Sequence, residues 1–247
     1  MAAMSDRVNL AAGPEFLRWT ALEQAEAIAK GELASVEVCG AYLQRIRRHN
    51  PELQAFVSVF ERQALRAARR ADQQRIRGGD LPVFHGVPTG VKDLVPLRMS
   101  RTMLGSRAFR YLVTPRDAPT GALIRRGGFV ILGKLATSEF GVLPITEPDV
   151  HPPTRNPWDT GRSAGGSSGG SGAAVAGNLV PPMSTGTLLL VRGILNVASP
   201  RFGTMIIAAR PIVMISSGSR SWRSMPSSSE VRASPPRTAW RQRAPRP

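Results

Sequence analysis

The sequence has little cysteine and histidine and no long apolar run. One cysteine, Cys39, occurs in 247 residues, which excludes an intramolecular disulfide and a cysteine-based metal cluster and is typical of a reducing cytosol. The three histidines, His49, His85 and His151, are too far apart to form a metal-binding motif. There is no signal-peptide pattern and no apolar run of the roughly 18 residues that a membrane span requires. We therefore expect a cytoplasmic protein without membrane association or a metal site.

Acidic residues are scarce at the C-terminal end of the chain. The whole sequence has 33 Lys and Arg against 17 Asp and Glu, but residues 188–247 contain ten arginines, no lysine and one acid, Glu230. This Arg/Ser/Pro-rich tail has little apolar surface to bury, so we expect it to be disordered. A basic tail is also typical of nucleic-acid binding. That alternative is less favoured here because basic and aromatic residues do not alternate.

The first third of the chain predicts three helices. A capping-box pattern at Thr20 predicts the first, over residues 20–30. The second begins after Ser35 and is expected to close before Asn50-Pro51. The third runs from residue 61 to the glycine pair at 78–79, and its apolar face is predicted to hold Leu65, Ala68, Asp72 and Ile76. We interpret its many arginines as a solvated face rather than a nucleic-acid contact.

Short apolar runs between glycines and prolines follow these helices. They predict a helix that ends at Gly127-Gly128, a strand over residues 129–133, and then a proline-rich extended loop over residues 146–163 without regular structure. Alternating helices and strands indicate an α/β fold. The segment 161–181, "GRSAGGSSGGSGAAVAGNLVP", is either a flexible linker or a tight turn that leads into a buried helix.

Three motifs together resemble the amidase signature family: "GVPTGVKDLV" at 86–95, "GGFVILGKLATSEFG" at 127–141, and "PTRNPWDTGRSAGGSSGGSGAAVAGNLVP" at 153–181. The resemblance covers about residues 20–187. It implies an α/β amidase signature fold in which helices enclose a mixed β-sheet. We therefore divide the chain into residues 1–187, the N-terminal part of an amidase domain, and the divergent tail, residues 188–247.

The resemblance also implies a Ser-cisSer-Lys site. The positions that match the family's lysine and cis-peptide serine are Lys92 and Ser167, and the supporting positions are Gly165, Gly166, Ser168, Gly169 and Gly170. An ammonium group accepts no proton, so a lysine base must be kept neutral by burial. Neutral Lys92 would then take a proton from Ser167, which would take one from the nucleophile. Lys134, Asp93 and Glu139 are expected to be structural rather than catalytic.

The sequence departs from the family where the nucleophile belongs. After "LVPPMSTGT" the family continues into a Gly-Thr-Asp and Gly-Gly-Ser stretch, whereas here the corresponding position is Val191, with Ser184 too early and Ser199 too late. The oxyanion-hole donors are lost with this stretch. We hypothesise that the reading frame changes near residues 182–188, which leaves the fold incomplete and this chain without its nucleophile.

The function that the resemblance implies is hydrolysis of a carboxylic amide, with a small-molecule amide as substrate and no cofactor. One alternative is the amidase subunit of a glutamine-dependent tRNA amidotransferase, which would need partner subunits. Another is a non-catalytic fragment with a basic nucleic-acid-binding tail. A homodimer is left open, and nucleic acid is not an expected partner of the domain.

Overall fold

The computed structural model describes residues 13–183. The predicted domain boundary at 187, the tail and Val191 lie outside these residues. A short 3-10 helix, Glu15–Arg18, precedes the first α-helix, α1, Ala21–Lys30, whose predicted capping box is confirmed. The Glu23 carboxylate accepts a hydrogen bond from the Thr20 N–H at 2.6 Å, and Thr20 Oγ1 accepts one from the Glu23 N–H at 3.3 Å. Gly31 ends the helix in the left-handed conformation, with φ of 79°.

Helix α2 spans Ser35–Leu53 and is longer than predicted. It continues through Pro51, which lies in its last turn, and ends only at Gln54 in the left-handed conformation. The side chain of Asn50 binds the backbone of Phe56, at the start of the next strand. Its Oδ1 accepts from the Phe56 N–H at 2.7 Å and its Nδ2 donates to the Phe56 carbonyl at 2.9 Å. The expected stop before Asn50-Pro51 was therefore wrong.

Helix α3 spans Glu61–Arg77, and its buried face overlaps the predicted one. Ala64, Ala68 and Ala71 are buried and Leu65 packs against the core, whereas Ile76 is 74% exposed. Asp72 accepts hydrogen bonds from the Ser35 and Val36 N–H groups at 2.7 and 3.0 Å, and so caps α2 from a neighbouring helix. The predicted face was therefore wrong at Ile76, because small alanines let α3 lie close to its neighbours along an adjacent line of the helix.

The remaining elements are short: β1 Phe56–Val59, β2 Pro88–Lys92, β3 Ser100–Arg101, β4 Val113–Thr114, α4 Pro119–Arg126, β5 Val130–Leu135, β6 Arg155–Asn156, β7 Asp159–Ser163 and α5 Gly169–Ala176. The largest sheet in the described residues has the order β1-β5-β2, with β1 antiparallel and β2 parallel to β5. The predicted mixed sheet is confirmed.

Strand β5 is buried along its whole length and has helices over both faces. Val130 and Leu132 belong to the large core that α1, α2, α3 and α5 share, whereas Ile131 packs with Val91 of β2 and Ile124 of α4. Neighbouring residues of a strand point to opposite faces. The sheet is therefore the middle layer between two groups of helices, as the α/β prediction requires.

The segment predicted to be an irregular proline-rich loop contains regular structure. Strands β6 and β7 pair antiparallel, with Arg155 opposite Ser163 and Asn156 opposite Asp159. The tight turn between them is closed by the Asn156 side chain, whose Oδ1 accepts from the Trp158 N–H at 3.0 Å. The prolines lie outside these strands or in the turn, so they do not prevent the pairing.

Helix α5 follows the glycine run directly, so the linker interpretation of this segment is wrong. Its first turn lies against the backbone of the chain that follows β5: the Gly170 N–H donates to the Ala136 carbonyl at 3.1 Å. A Cβ on Gly170 would overlap the Ala136 backbone. Glycine at this position is thus needed for close approach. On the exposed side of α5, by contrast, a Cβ on Gly172 would have no neighbouring atom within 4 Å.

The two glycines of α5 provide a matched test of this packing. We expect Gly170→Ala to lower the free energy of unfolding by about 2 kcal/mol or more, because the methyl group forces α5 away from Ala136. Gly172→Ala should instead raise it by about 0.5–1 kcal/mol, since alanine favours the helix and meets no neighbour. Urea unfolding followed by circular dichroism measures both. Equal effects of the two substitutions would contradict the close approach.

Candidate active site

Lys92 is the last residue of β2 and projects to the face opposite Val91, toward the start of α5. It is 7% exposed. Its Nζ donates to Ser167 Oγ at 2.9 Å and to Ser168 Oγ at 2.8 Å. The structure thus brings together a buried amine and two adjacent hydroxyls from positions about 75 residues apart in the chain.

The backbone of Ser167 is fixed by the peptide bond before it and by hydrogen bonds to its carbonyl. The Gly166–Ser167 peptide bond is cis. The Ser167 carbonyl accepts a hydrogen bond from Thr137 Oγ1 at 3.0 Å and one from the Ser138 N–H at 3.3 Å. Thr137 and Ser138 are fully buried just after β5. The serine next to Lys92 is therefore anchored to the segment that directly follows β5, the strand that pairs with β2.

The predicted glycines surround this serine pair and permit close contacts. Gly165 has φ of 77°, in the left-handed region. A Cβ on Gly166 would lie 2.7 Å from the Ile145 nitrogen, and one on Gly169 would overlap the Thr146 hydroxyl. Together with Gly170, they allow the loop to lie against residues 136–146 without a gap.

Ser168, which the motifs predicted only as a supporting residue, contacts Lys92 directly. Its Oγ is as near to Lys92 Nζ as that of Ser167. The sequence carries no signal for this contact, because adjacent residues of an extended chain point in opposite directions. Here the turn of the backbone at residues 166–168 directs both hydroxyls toward one amine.

Burial lowers the pKa of Lys92 below its ordinary value, since the buried site disfavours the charged ammonium. The two groups closest to the amine are neutral hydroxyls, and Lys92 forms no ion pair within residues 13–183. The neutral amine is the form that accepts a proton. The arrangement therefore suits Lys92 to act as a base that takes a proton from a serine.

Asp93, although next to Lys92 in sequence, turns to the other face of the sheet. Its Oδ2 accepts from the Met103 N–H at 2.9 Å, and its Oδ1 lies 3.2 Å from Lys134 Nζ. Both side chains of this ion pair are almost fully buried. Lys134 Nζ also donates to the Val95 carbonyl at 2.5 Å and to Thr102 Oγ1 at 3.1 Å. This pair holds the charge of Asp93 away from Lys92.

The other titratable candidates lie outside the cluster. Glu139 is exposed. Burial lowers the pKa of His151, and the charge of Asp93 opposes this only in part. No group of three or more His, Cys, Asp or Glu side chains in the described range could hold a metal ion. Across residues 13–183 there is also no helix that is long and apolar enough to cross a membrane.

An exposed apolar rim lies beside the two serines. It consists of Phe140, Val142, Leu143 and Ile145, which are between 44% and 78% exposed. Gly141, within this rim, is close enough that a Cβ would be 3.9 Å from Ser167 Oγ. Phe109 meets Phe140 edge to face, with ring centroids 6.0 Å apart. The amine and hydroxyls therefore lie next to an apolar surface open to solvent.

The structure thus places a buried lysine against two serines at the edge of a mixed β-sheet. The family model described as "Amidase" matches residues 37–187. The chain therefore belongs to the amidase family, and the resemblance stated from the motifs is confirmed.

Individual relatives agree with this family. The chain is 38% identical over 162 residues to indoleacetamide hydrolase of Bradyrhizobium diazoefficiens, covering 66% of this chain and 31% of that protein. It is 42% identical over 173 residues to the glutamyl-tRNA(Gln) amidotransferase A subunit of Thermobifida fusca, covering 70% and 34%. The structure of 6-aminohexanoate cyclic dimer hydrolase complexed with substrate matches with a TM-score of 0.61 and 34% identity, covering 68% and 33%. This chain thus spans about a third of the length of these relatives.

The buried Asp93–Lys134 pair leads to a stability prediction. We expect Lys134→Met to lower the free energy of unfolding by about 3–5 kcal/mol, because it leaves a carboxylate buried without its partner. The control is Arg47→Met, which breaks the exposed Arg47–Glu61 pair and should cost less than about 1 kcal/mol. Urea denaturation measures both variants. Similar losses would contradict a structural role for the buried pair.

The three lysines of the chain allow a direct test of the Lys92 environment. Lys30 is exposed, Lys92 is buried beside the serines, and Lys134 is fully buried. Acetic anhydride acylates only the neutral amine, so the pH midpoint of labelling follows the pKa of each lysine. Because burial lowers the pKa of Lys92, we expect its midpoint below that of Lys30, as read by peptide mass spectrometry. A midpoint equal to that of Lys30 would contradict the lowered pKa of Lys92.

Proposed function

We propose that residues 1–187 are the N-terminal portion of an amidase that hydrolyses the C–N bond of a carboxylic amide through a Ser-cisSer-Lys relay. The observation that carries this proposal is the 2.9 Å contact between Lys92 Nζ and Ser167 Oγ in a chain of the amidase family. The names of two relatives, an indoleacetamide hydrolase and a 6-aminohexanoate cyclic dimer hydrolase, support a small-molecule amide as the substrate. The cytoplasm is the proposed location.

In this mechanism each group has one task. Neutral Lys92 accepts the proton of Ser167, and Ser167 accepts the proton of the nucleophile as that nucleophile attacks the amide carbonyl. Ser168 holds the amine from its other side, at 2.8 Å. When the amide bond breaks, the protons return along the same path to the leaving nitrogen, and water then releases the acid. The chemistry needs no cofactor.

The nucleophile is the part of this mechanism that the sequence does not supply. The matching position is Val191. A change of reading frame near residues 182–188 accounts for this loss and for the arginine-rich composition of residues 188–247. Under this proposal the 247-residue chain carries the base and the proton carrier of the site but performs no covalent hydrolysis.

A second candidate is the amidase subunit of a glutamine-dependent tRNA amidotransferase. It is favoured by the 42% identity to the amidotransferase protein of Thermobifida fusca. That function needs partner subunits, whereas a free-standing amidase purifies alone or as a homodimer. Affinity purification from the native cell separates the two, because stoichiometric amidotransferase partners would favour the second. The third candidate, a fragment that binds nucleic acid through its basic tail, predicts salt-dependent binding to a duplex.

The experiment that tests the proposed function compares two chains on a panel of aliphatic and aromatic amides. In the first, the residues after 181 follow the reading frame that restores Gly-Gly-Ser, and we expect amide hydrolysis. In this background Lys92→Ala and Ser167→Ala should each lower kcat by about 100-fold or more, because each interrupts proton transfer. The second is the 247-residue chain itself, which should release no more ammonia than its own Lys92→Ala variant.

Two outcomes of this experiment would contradict the proposal. If Lys92→Ala and Ser167→Ala leave the activity of the restored chain unchanged, these residues are not the relay. If the 247-residue chain hydrolyses amides and loses that activity with Lys92→Ala, it contains a nucleophile that the family pattern does not identify. Circular dichroism of every variant shows that a loss of activity is not a loss of fold.

A further inference from the structure

The side chain of Thr146 lies between the two backbone segments that flank Ser167. Thr146 is fully buried, within a loop whose neighbouring residues Ile145 and Glu147 are exposed. Its Oγ1 donates a hydrogen bond to the Gly165 carbonyl at 2.8 Å and accepts one from the Gly169 N–H at 3.1 Å. One hydroxyl therefore connects the chain two residues before Ser167 to the chain two residues after it.

The surrounding contacts leave this hydroxyl no other role. Both of its hydrogen bonds go to the loop that carries the serines, and a Cβ on Gly169 would overlap it. Thr146 is itself fixed from the opposite side, because its carbonyl accepts from the Thr154 N–H at 2.9 Å. The bond from the Gly169 N–H is buried and the bond to the Gly165 carbonyl is partly buried. Loss of the hydroxyl therefore leaves the buried Gly169 N–H without a partner.

We propose that Thr146 is a positioning residue, whose hydroxyl holds Ser167 and Ser168 against the amine of Lys92. This inference rests on the proposed relay. In this role, the Thr146 hydroxyl holds together the two ends of the turn, at Gly165 and Gly169. Thr146 touches none of the groups that exchange protons in the mechanism, so its effect on them is indirect, through the backbone at Gly165 and Gly169.

The test uses Thr146→Val in the 247-residue chain. Valine has nearly the same shape, but its methyl group replaces the hydroxyl and cannot remain 2.8 Å from the Gly165 oxygen, because non-bonded carbon contacts prefer about 3.5–4.0 Å. The loop should therefore move and admit water to Lys92. We expect the pH midpoint of Lys92 acetylation to rise toward that of Lys30, and amide hydrogen exchange across residues 165–170 to become faster.

Two further variants distinguish positioning from general destabilisation. Thr146→Ser keeps the hydroxyl and should restore both the Lys92 midpoint and the slow exchange of the wild type. Thr114→Val removes the hydroxyl of a half-buried threonine in β4, which donates to the Leu97 carbonyl at 3.1 Å rather than to the serine loop. It should leave both readouts unchanged even if it lowers the melting temperature. Thr146→Ala replaces the valine variant if the latter does not fold.

The outcomes separate this proposal from the proposed function. If Lys92 of the wild type labels with the midpoint of Lys30, the neutral-lysine relay is wrong, and hydrogen exchange alone then decides whether Thr146 fixes the loop. If the wild-type midpoint is low and Thr146→Val keeps both this midpoint and the slow exchange, the relay stands and the proposal for Thr146 is overturned. It is also overturned if Thr114→Val changes both readouts as much as Thr146→Val does.

Discussion

Burial of the Lys92 amine between two serine hydroxyls is the constraint on which the rest of the site depends. A lysine in this position stays neutral only if water and negative charge are both kept from it. Lys92 is only 7% exposed, because β2 ends where α5 and the glycine loop lie over the amine. Ser167 and Ser168 supply hydrogen bonds without charge, at 2.9 and 2.8 Å. Each surrounding feature contributes to this arrangement.

The acidic side chain nearest to Lys92 in sequence, that of Asp93, points away from the Lys92 amine because neighbouring residues project to opposite faces of the sheet. Lys92 and Asp93 are adjacent, but they project to opposite sides, and Lys134 holds the Asp93 carboxylate at 3.2 Å. The two lysines therefore have different environments within one sheet: Lys134 has a buried counter-ion, and the described neighbours of the Lys92 amine are hydroxyls. This difference suits Lys134 to stabilise the fold and Lys92 to accept a proton.

Local signals predicted the elements, while tertiary contacts decided their limits. The capping box at Thr20 predicted the start of α1, and the glycine pairs predicted the ends of α3 and α4. All three predictions are confirmed. The end of α2 was missed because Pro51 is accommodated in the last turn. The buried face of α3 was predicted only in part: Ala68 belongs to it, but the close approach of the neighbouring helices adds Ala64 and Ala71 and leaves Ile76 exposed. Periodicity within one helix carries no information about the distance to the next.

The site shows the same division. The family motifs identified Lys92, Ser167 and the glycines around them, and the structure brings these residues together. The motifs did not reveal the short contact of Ser168, the pairing of Asp93 with Lys134, or the hydroxyl of Thr146 between the two ends of the glycine turn. These contacts join residues between 19 and 76 positions apart in the chain. They arise only when distant segments fold against one another.

Under the proposed function, this chain carries the lysine and the cis-peptide serine of an amidase site, and its nucleophile lies in another reading frame. The most direct measurement is to sequence the DNA across codons 178–205 from an independent source and to translate all three frames. A change of frame predicts that another frame reads Gly-Thr-Asp-x-Gly-Gly-Ser and continues without a stop codon. If no frame restores this motif, the tail belongs to the protein, the nucleophile is absent, and the Lys92–Ser167 contact serves a different purpose.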